Sequence, residues 1–206
     1  KFNNYQNVKY VFISSTSSDS AVNKYSLYGL SKFMAEDIFF KLKLKKPKLN
    51  IQIVRLGMIY GLENCPIRKI LSFRKLYIEI YPGKPDSKFA VTSAEDISKY
   101  LLDYESTIWQ STQFKLDFYE PKAISLKYLQ SKVGEYNLKR NSIFKFYIYN
   151  NKILKNFLNL LGNKTDLSLA NISRYPNEEN LVEYKFAKGI DLYIKDIFRK
   201  KNKSLK

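Results

Sequence analysis

Tyr28 and Lys32 have the residue types and the spacing that proton transfer requires. Four residues apart on a helix, two side chains point the same way and lie about one turn apart. An ammonium group beside a phenol stabilises the phenolate, which suits the phenol to general acid/base catalysis. The apolar strand predicted before the pair, residues 8–13, ends in five hydroxyl residues, 14–18. The sequence therefore predicts that a strand end and a helix start form one chemical site.

The spacing of this pair is not specific by itself. The chain has 17 tyrosines and many lysines, so the pattern Tyr-x-x-x-Lys also arises by chance. It occurs four times, beginning at Tyr5, Tyr28, Tyr128 and Tyr184. Only the pair at Tyr28 follows a hydroxyl-rich strand end and leads into a long helical apolar pattern. The prediction of a catalytic pair therefore depends on these neighbouring segments and not on the spacing alone.

Several kinds of chemistry are excluded or disfavoured by composition. The chain of 206 residues contains no histidine, which removes Ser-His-Asp and Cys-His catalysis and most zinc chemistry, and we expect no metal site. The single cysteine, Cys65, excludes an internal disulfide and suits a reducing compartment such as the cytoplasm. No apolar run has the length of a membrane span, so we expect none.

The formal net charge of +17 raises the question of nucleic acid. Lysine supplies most of that charge and is spread along the whole chain, whereas arginine, which reads bases and phosphates with two hydrogen bonds, is scarce. A compositional bias explains the lysines, and we expect no specific nucleic-acid binding.

The order of predicted elements indicates an α/β fold. The first half alternates strand and helix, which is typical of a parallel sheet with crossover helices. Strands are predicted at residues 8–13 and 51–56, and helices at 26–44, within 67–80, and from a capping sequence at 93–96 to 104. Further strands are predicted at 114–118 and 143–149, and further helices at 125–133, 153–161 and 187–198.

Four stretches in order resemble the extended short-chain dehydrogenase/reductase superfamily, the NAD-dependent epimerase/dehydratase family. The first is the hydroxyl-rich strand end with Tyr28 and Lys32. Residues 54–61 resemble the family's Arg-Pro-x-Asn-Val-Tyr-Gly segment, residues 91–97 its Val-x-Val-x-Asp-Val segment, and residues 181–197 its closing pattern, in which a Gly-Ile pair opens the last helix.

The resemblance implies both an architecture and a division of the chain. The fold would be the C-terminal part of a Rossmann-like doubly wound parallel sheet with a smaller mixed α/β substrate lobe. Residues 1–110 would form a partial dinucleotide-binding domain. Residues 111–206 would form mainly the substrate-binding lobe and the C-terminal helix.

The resemblance also assigns roles by position. Tyr28 would be the catalytic acid/base, Lys32 would assist it and bind the nicotinamide ribose of NAD or NADP, and Thr16 would orient the substrate oxygen, with Ser15 or Ser17 as alternatives. Other cofactor contacts would be Ser14, Ser15, Gly57, Ile59 and Tyr60, and substrate contacts would be Ser17, Met58 and Lys88. Structural roles stay open: Tyr28 as a half-buried anchor of the helix, Thr16 as a cap hydroxyl, and residues 57–60 as a strand exit.

The chain departs from the family pattern in three places. It has no Gly-x-Gly or Gly-x-x-Gly pair, although a dinucleotide-binding turn needs one to approach the pyrophosphate. That turn precedes this region in the family, so we expect the chain to be a fragment that alone binds cofactor poorly. Leu56 and Met58 stand where the family has proline and asparagine, and Phe89 where it often has an arginine.

The predicted activity is that of an epimerase, dehydratase or reductase acting on a nucleotide sugar or related carbohydrate. The alternative is a catalytically silent dinucleotide sensor or scaffold of the same fold. The helix after Tyr28 often forms a homodimer contact in the family. Its apolar face is compatible with that contact and equally with burial against the sheet.

Overall fold

The computed structural model describes residues 8–19, 27–63, 65, 67–68, 78–81, 85–103, 111–136, 144–147, 181–182, 184, 186–187 and 189–203. Its strands are β1 (Lys9–Ser15), β2 (Asn50–Leu56), β3 (Met58–Tyr60), β4 (Ile78–Tyr81), β5 (Lys88–Phe89), β6 (Val91–Ser93), β7 (Lys115–Phe118), β8 (Ile124–Ser125) and β9 (Phe144–Tyr147). Its helices are α1 (Leu27–Lys45), α2 (Ala94–Leu102), α3 (Leu126–Tyr136) and α4 (Gly189–Lys203).

A parallel sheet with the order β1-β2-β7 forms the centre of the fold. The sequence of β2, rich in isoleucine and valine, suits its central place, where every residue after Asn50 is buried. Leu56 pairs with Ser15 on one side and Phe118 on the other, so the three strands end at one edge. Parallel strands with helical crossovers confirm the α/β, Rossmann-like fold class.

Shorter strand pairs extend the structure beyond this sheet. β3 pairs with β6 and β4 with β9 in parallel, whereas β5 and β8 are antiparallel. β7 lies in the central sheet although it follows residue 110, so the sheet itself crosses the predicted boundary between domain and lobe. The two-part division of the chain otherwise stays a prediction.

Helix α2 begins where its sequence predicts. Ser93 is the N-cap, and its side chain accepts a hydrogen bond from the Asp96 backbone N–H at 3.2 Å. Glu95 and Asp96 place negative charge in the first turn, which favours a helix start.

Three predicted elements differ in the structure or fall outside it. The apolar sequence at 8–13 predicts a central strand buried on both faces, but residues 9–13 of β1 are only partly buried, and among the described residues β1 pairs with β2 alone, at an edge of the sheet. The end of the helix predicted within 67–80 is strand β4, whose β-branched isoleucines favour extended backbone. The helix predicted at 153–161 lies outside the described residues.

Apolar and charged residues are distributed all round helix α1, and much of its apolar surface is exposed. Leu27, Met34 and Ile38 are 85%, 56% and 63% exposed. These three residues do not pack on the sheet, whereas Phe39 lies against Phe12 of β1 with the ring centres 4.8 Å apart, so burial accounts for only part of the apolar character of the helix. None of the helices in the described part of the chain is long and apolar enough to span a membrane.

Candidate active site

Tyr28 and Lys32 lie in the first two turns of α1, next to the end of β1. The Lys32 ammonium donates a hydrogen bond to the Ile13 carbonyl at 3.0 Å. Its Nζ lies 5.1 Å from the centre of the Phe12 ring and 5.9 Å from the centre of the Tyr28 ring. Tyr28 is 51% exposed. The helix therefore presents a half-exposed phenol while its lysine is bound to the neighbouring strand.

The hydroxyl residues after β1 form a buried 3₁₀ turn, Thr16–Ser18. The Ser15 side chain caps it by accepting the Ser17 backbone N–H at 3.2 Å. Thr16 directly follows the strand and is only 5% exposed. The structure thus places the predicted hydroxyls at the carboxyl end of β1, with the turn packed against α1.

A buried ion pair lies beneath this turn. Arg55 of β2 donates to the Glu36 carboxylate of α1 from Nε at 2.9 Å to Oε1 and from a terminal nitrogen at 2.6 Å to Oε2. Oε1 also accepts the hydroxyls of Ser14, at 2.6 Å, and Ser18, at 2.5 Å. Burial raises the pKa of Glu36, but the hydrogen bonds from Arg55, Ser14 and Ser18 outweigh it and hold that pKa below its ordinary value.

Asp117 is a second buried carboxylate next to Arg55. The two residues pair across β2 and β7, and Asp117 is 2% exposed, with no hydrogen-bond partner for its Oδ1 among the described residues. Burial raises the pKa of Asp117 to about 6, although the charges of Arg55 and Lys115 oppose the shift. The carboxylates of Glu36 and Asp19 add to it.

We expect Asp117→Asn to stabilise the protein at neutral pH. The native pKa of about 6 exceeds the unfolded value of about 4, so native Asp117 holds its proton more tightly. The stability that this provides is complete below about pH 4 and is lost as the pH rises through 6. The variant should gain about 1–3 kcal/mol in free energy of unfolding at pH 7. Urea unfolding at pH 4 and pH 7 measures the gain, and an equal change at both pH values would contradict it.

The predicted contacts at residues 57–60 begin where β2 ends. The Gly57 backbone N–H donates to Thr92 Oγ1 at 2.9 Å, and that hydroxyl donates to the Phe118 carbonyl at 2.7 Å. These bonds fix the passage of the chain from β2 into β3. Met58 and Ile59 are partly buried, Met58 against a core cluster that includes Val91 and Ile194, and Ile59 against a second cluster that includes Val54.

Tyr60 and Lys88 occupy contrasting environments. Tyr60 is 2% exposed, and its hydroxyl donates to the buried Glu120 carboxylate. Burial and this carboxylate raise the pKa of Tyr60 well above its ordinary value. Lys88 is exposed on β5. Tyr60 is thus a core residue, and the contacts predicted for both residues with ligands stay predictions.

A second pair with the same spacing offers a comparison. Lys132 Nζ lies 5.7 Å from the Tyr128 ring centre, nearly the separation found for Lys32 and Tyr28. The Tyr128 hydroxyl, however, donates to Asp191 of α4. Burial and this carboxylate raise the pKa of Tyr128. The second pair joins two helices and follows the short antiparallel strand β8, whose Ser125 hydroxyl accepts the Tyr128 backbone N–H at 3.1 Å, and not a strand of the central parallel sheet.

Sequence reasoning did not single out Glu36, Arg55 or Asp117 as members of the site. A signal was present for two of them. Glu36 follows Lys32 by four residues, which places it on the face of α1 that carries the pair. Arg55 interrupts an apolar strand, where a charge needs a buried partner. Asp117 gave no comparable signal.

Comparisons with known proteins bear on the fold. No protein-family model and no curated protein sequence matches the chain. An NAD-dependent NDP-hexosamine 5,6-dehydratase of tunicamycin biosynthesis is similar in structure, with a TM-score of 0.61 and 11% identity over 95% of this chain and 63% of that one.

Two further solved structures are similar. For an L-threonine dehydrogenase from Phytophthora infestans the TM-score is 0.62 and the identity 12%, over 96% of this chain and 66% of that one. For a UDP-N-acetylglucosamine 4-epimerase from Bacillus cereus the TM-score is 0.53 and the identity 16%, over 94% of this chain and 65% of that one. At such identities the similarity shows the fold. The chain spans about two thirds of the length of these structures.

Proposed function

We propose that this chain belongs to an NAD(P)-dependent epimerase, dehydratase or reductase of the extended short-chain dehydrogenase/reductase superfamily. The main observation behind this proposal is the position of Tyr28 and Lys32. They lie on a helix that Lys32 attaches, through the Ile13 carbonyl, near the carboxyl end of a parallel strand. In open α/β sheets ligands bind outside the carboxyl ends of the strands. The similar solved structures, described as an NAD-dependent dehydratase, a dehydrogenase and an epimerase, support the proposal.

The residues present fit part of a nicotinamide dinucleotide. Lys32 supplies a hydrogen-bond donor and Tyr28 a half-exposed phenol, which suit the ribose and the reacting end of the cofactor. The pyrophosphate requires a glycine-rich turn, and the chain has no Gly-x-Gly or Gly-x-x-Gly pair. When bound, the cofactor supplies hydride transfer.

The chain's own residues would handle the proton. Tyr28 would exchange a proton with the substrate oxygen, and Lys32 would place a positive charge beside it. Thr16 would orient the same oxygen through its hydroxyl. The substrate we propose is a nucleotide sugar or a related carbohydrate, as in the epimerase and the NDP-hexosamine dehydratase, and the location is the cytoplasm.

One observation favours the second candidate, a dinucleotide sensor without turnover. Thr16, the hydroxyl predicted to orient the substrate, is only 5% exposed, and the Ser14 hydroxyl, a predicted cofactor contact, is bound to Glu36. A homodimer through α1 also remains a proposal, supported by the exposed Met34 and Ile38.

The two candidates predict different results with the full-length protein. We expect it to bind NAD or NADP and to convert at least one member of a panel of nucleotide-diphosphate sugars. Nicotinamide absorbance and chromatography of the sugars measure this conversion. Calorimetry measures cofactor binding independently. Binding without turnover of any sugar would favour the sensor, and the absence of both binding and turnover would contradict both candidates.

A further inference from the structure

The Glu36 carboxylate joins four elements that meet beneath the candidate site. It lies on α1, 7% exposed, and accepts hydrogen bonds from Ser14 at the end of β1, Ser18 in the 3₁₀ turn and Arg55 on β2. One side chain therefore sets the position of the hydroxyl turn relative to the helix that carries Tyr28 and Lys32.

Stability alone does not account for this arrangement. Removing two charges from water costs several kcal/mol per ion, roughly as much as their attraction returns, so apolar residues of similar size often stabilise a core as well or better. Two nearly parallel N–H···O bonds instead impose a defined orientation on both groups. Arg55 and Glu36 are 9% and 7% exposed, so water does not relax that orientation.

The geometry has a direct consequence for α1. Tyr28, Lys32 and Glu36 are spaced by four residues, so they share one face of the helix. Lys32 is bound to the Ile13 carbonyl one turn from the Glu36 network. The two attachments fix both the rotation of the helix and its distance from the strand end.

We propose that Glu36 and Arg55 are positioning residues, which hold the Thr16–Ser18 turn and the Tyr28–Lys32 face of α1 in register with each other. The part of this proposal that concerns turnover rests on the proposed function. Its structural part, the ordering of the turn by the ion pair, is independent of any reaction.

Glu36→Gln tests both parts in the full-length protein. Glutamine keeps the shape and one acceptor oxygen but puts an N–H₂ group where a carboxylate oxygen accepted hydrogen bonds. We expect kcat to fall about 10- to 100-fold, because small displacements of reacting groups have costs of that order, while KM for the cofactor changes by less than about threefold. Amide hydrogen exchange of residues 14–18 should rise at least about tenfold while that of β2 stays unchanged.

Two matched variants separate positioning from general destabilisation. Arg55→Lys keeps the positive charge but loses the two-bond geometry, so it should reproduce the increased exchange of the turn. Asp96→Asn alters another buried carboxylate, which accepts the Ala187 backbone N–H at 3.1 Å. It should lower the free energy of unfolding without changing kcat or the exchange of residues 14–18.

The outcomes are distinct. Unchanged exchange of the turn in folded Glu36→Gln would overturn the proposal, as would an equal loss of kcat in Asp96→Asn. If the wild-type protein converts no substrate, the proposed function fails, whereas faster exchange of the turn in Glu36→Gln still supports its ordering by the ion pair.

Discussion

Tyr28→Phe is expected to lower kcat of the full-length protein about 10²–10⁴-fold, the usual contribution of a general acid/base. The variant keeps the ring and removes only the hydroxyl. The hydroxyl lies on a half-exposed residue, so the fold should not change. Cofactor affinity should stay within about twofold, because the change removes an interaction made in the transition state. Steady-state turnover and calorimetric titration measure the two quantities.

Tyr128→Phe is the matched control for this substitution. Tyr128 has the same sequence spacing to a lysine as Tyr28 and nearly the same distance from its ring to the ammonium group, but its hydroxyl donates a hydrogen bond to Asp191. Loss of this hydrogen bond in Tyr128→Phe should reduce the free energy of unfolding by about 1–2 kcal/mol and leave kcat unchanged. Full turnover in Tyr28→Phe, or an equal loss in the control, would remove Tyr28 from the proposed mechanism.

Gly57→Ala is expected to reduce the free energy of unfolding by about 3 kcal/mol. A Cβ at this position would lie 2.5 Å from the Ala90 carbonyl carbon and 2.7 Å from the Val91 nitrogen. Both are backbone atoms, so relief requires β3 and β6 to separate where the Met58 N–H donates to the Ala90 carbonyl at 2.8 Å. Chemical denaturation of the folded variant measures the loss.

Gly61→Ala separates this steric effect from backbone strain. Gly61 has φ +99°, which disfavours alanine, but its Cβ would meet nothing closer than 3.7 Å. Conformational strain alone costs about 1–2 kcal/mol. A smaller loss in Gly57→Ala than in Gly61→Ala would mean that the strands separate easily and that Gly57 is not required by packing.

The sequence predicted those elements whose signals are local. Helix α2 has its capping serine and early acidic residues, and β2 is an isoleucine- and valine-rich run interrupted by Gln52 and Arg55, so the sequence predicts both within a few residues of their observed ends. Periodicity places strand β4 within a predicted helix because its four residues, Ile78–Tyr81, are too few to separate the two states by pattern.

The candidate site was predictable only in part, and for a related reason. Tyr28, Lys32 and the hydroxyl run are close in sequence, so their meeting follows from one strand and one helix. The contact of Arg55 with Glu36, and the proximity of Asp117 to Arg55, depend on the order of β1, β2 and β7 in the sheet. Strand order is a tertiary property that no local pattern contains.

The attachment of the C-terminal segment also determines when the fold can be completed. The Val182 N–H donates to the Asp117 carbonyl at 2.9 Å, and the Ala187 N–H reaches Asp96, 91 residues earlier in the chain. Contacts so distant in sequence form late, because the entropy of closing a long loop must be overcome first. β1, α1 and β2 can assemble from contacts between neighbouring elements of the chain. The outer side of β7 is covered only when the distant segment at Leu181 and Val182 reaches Asp117.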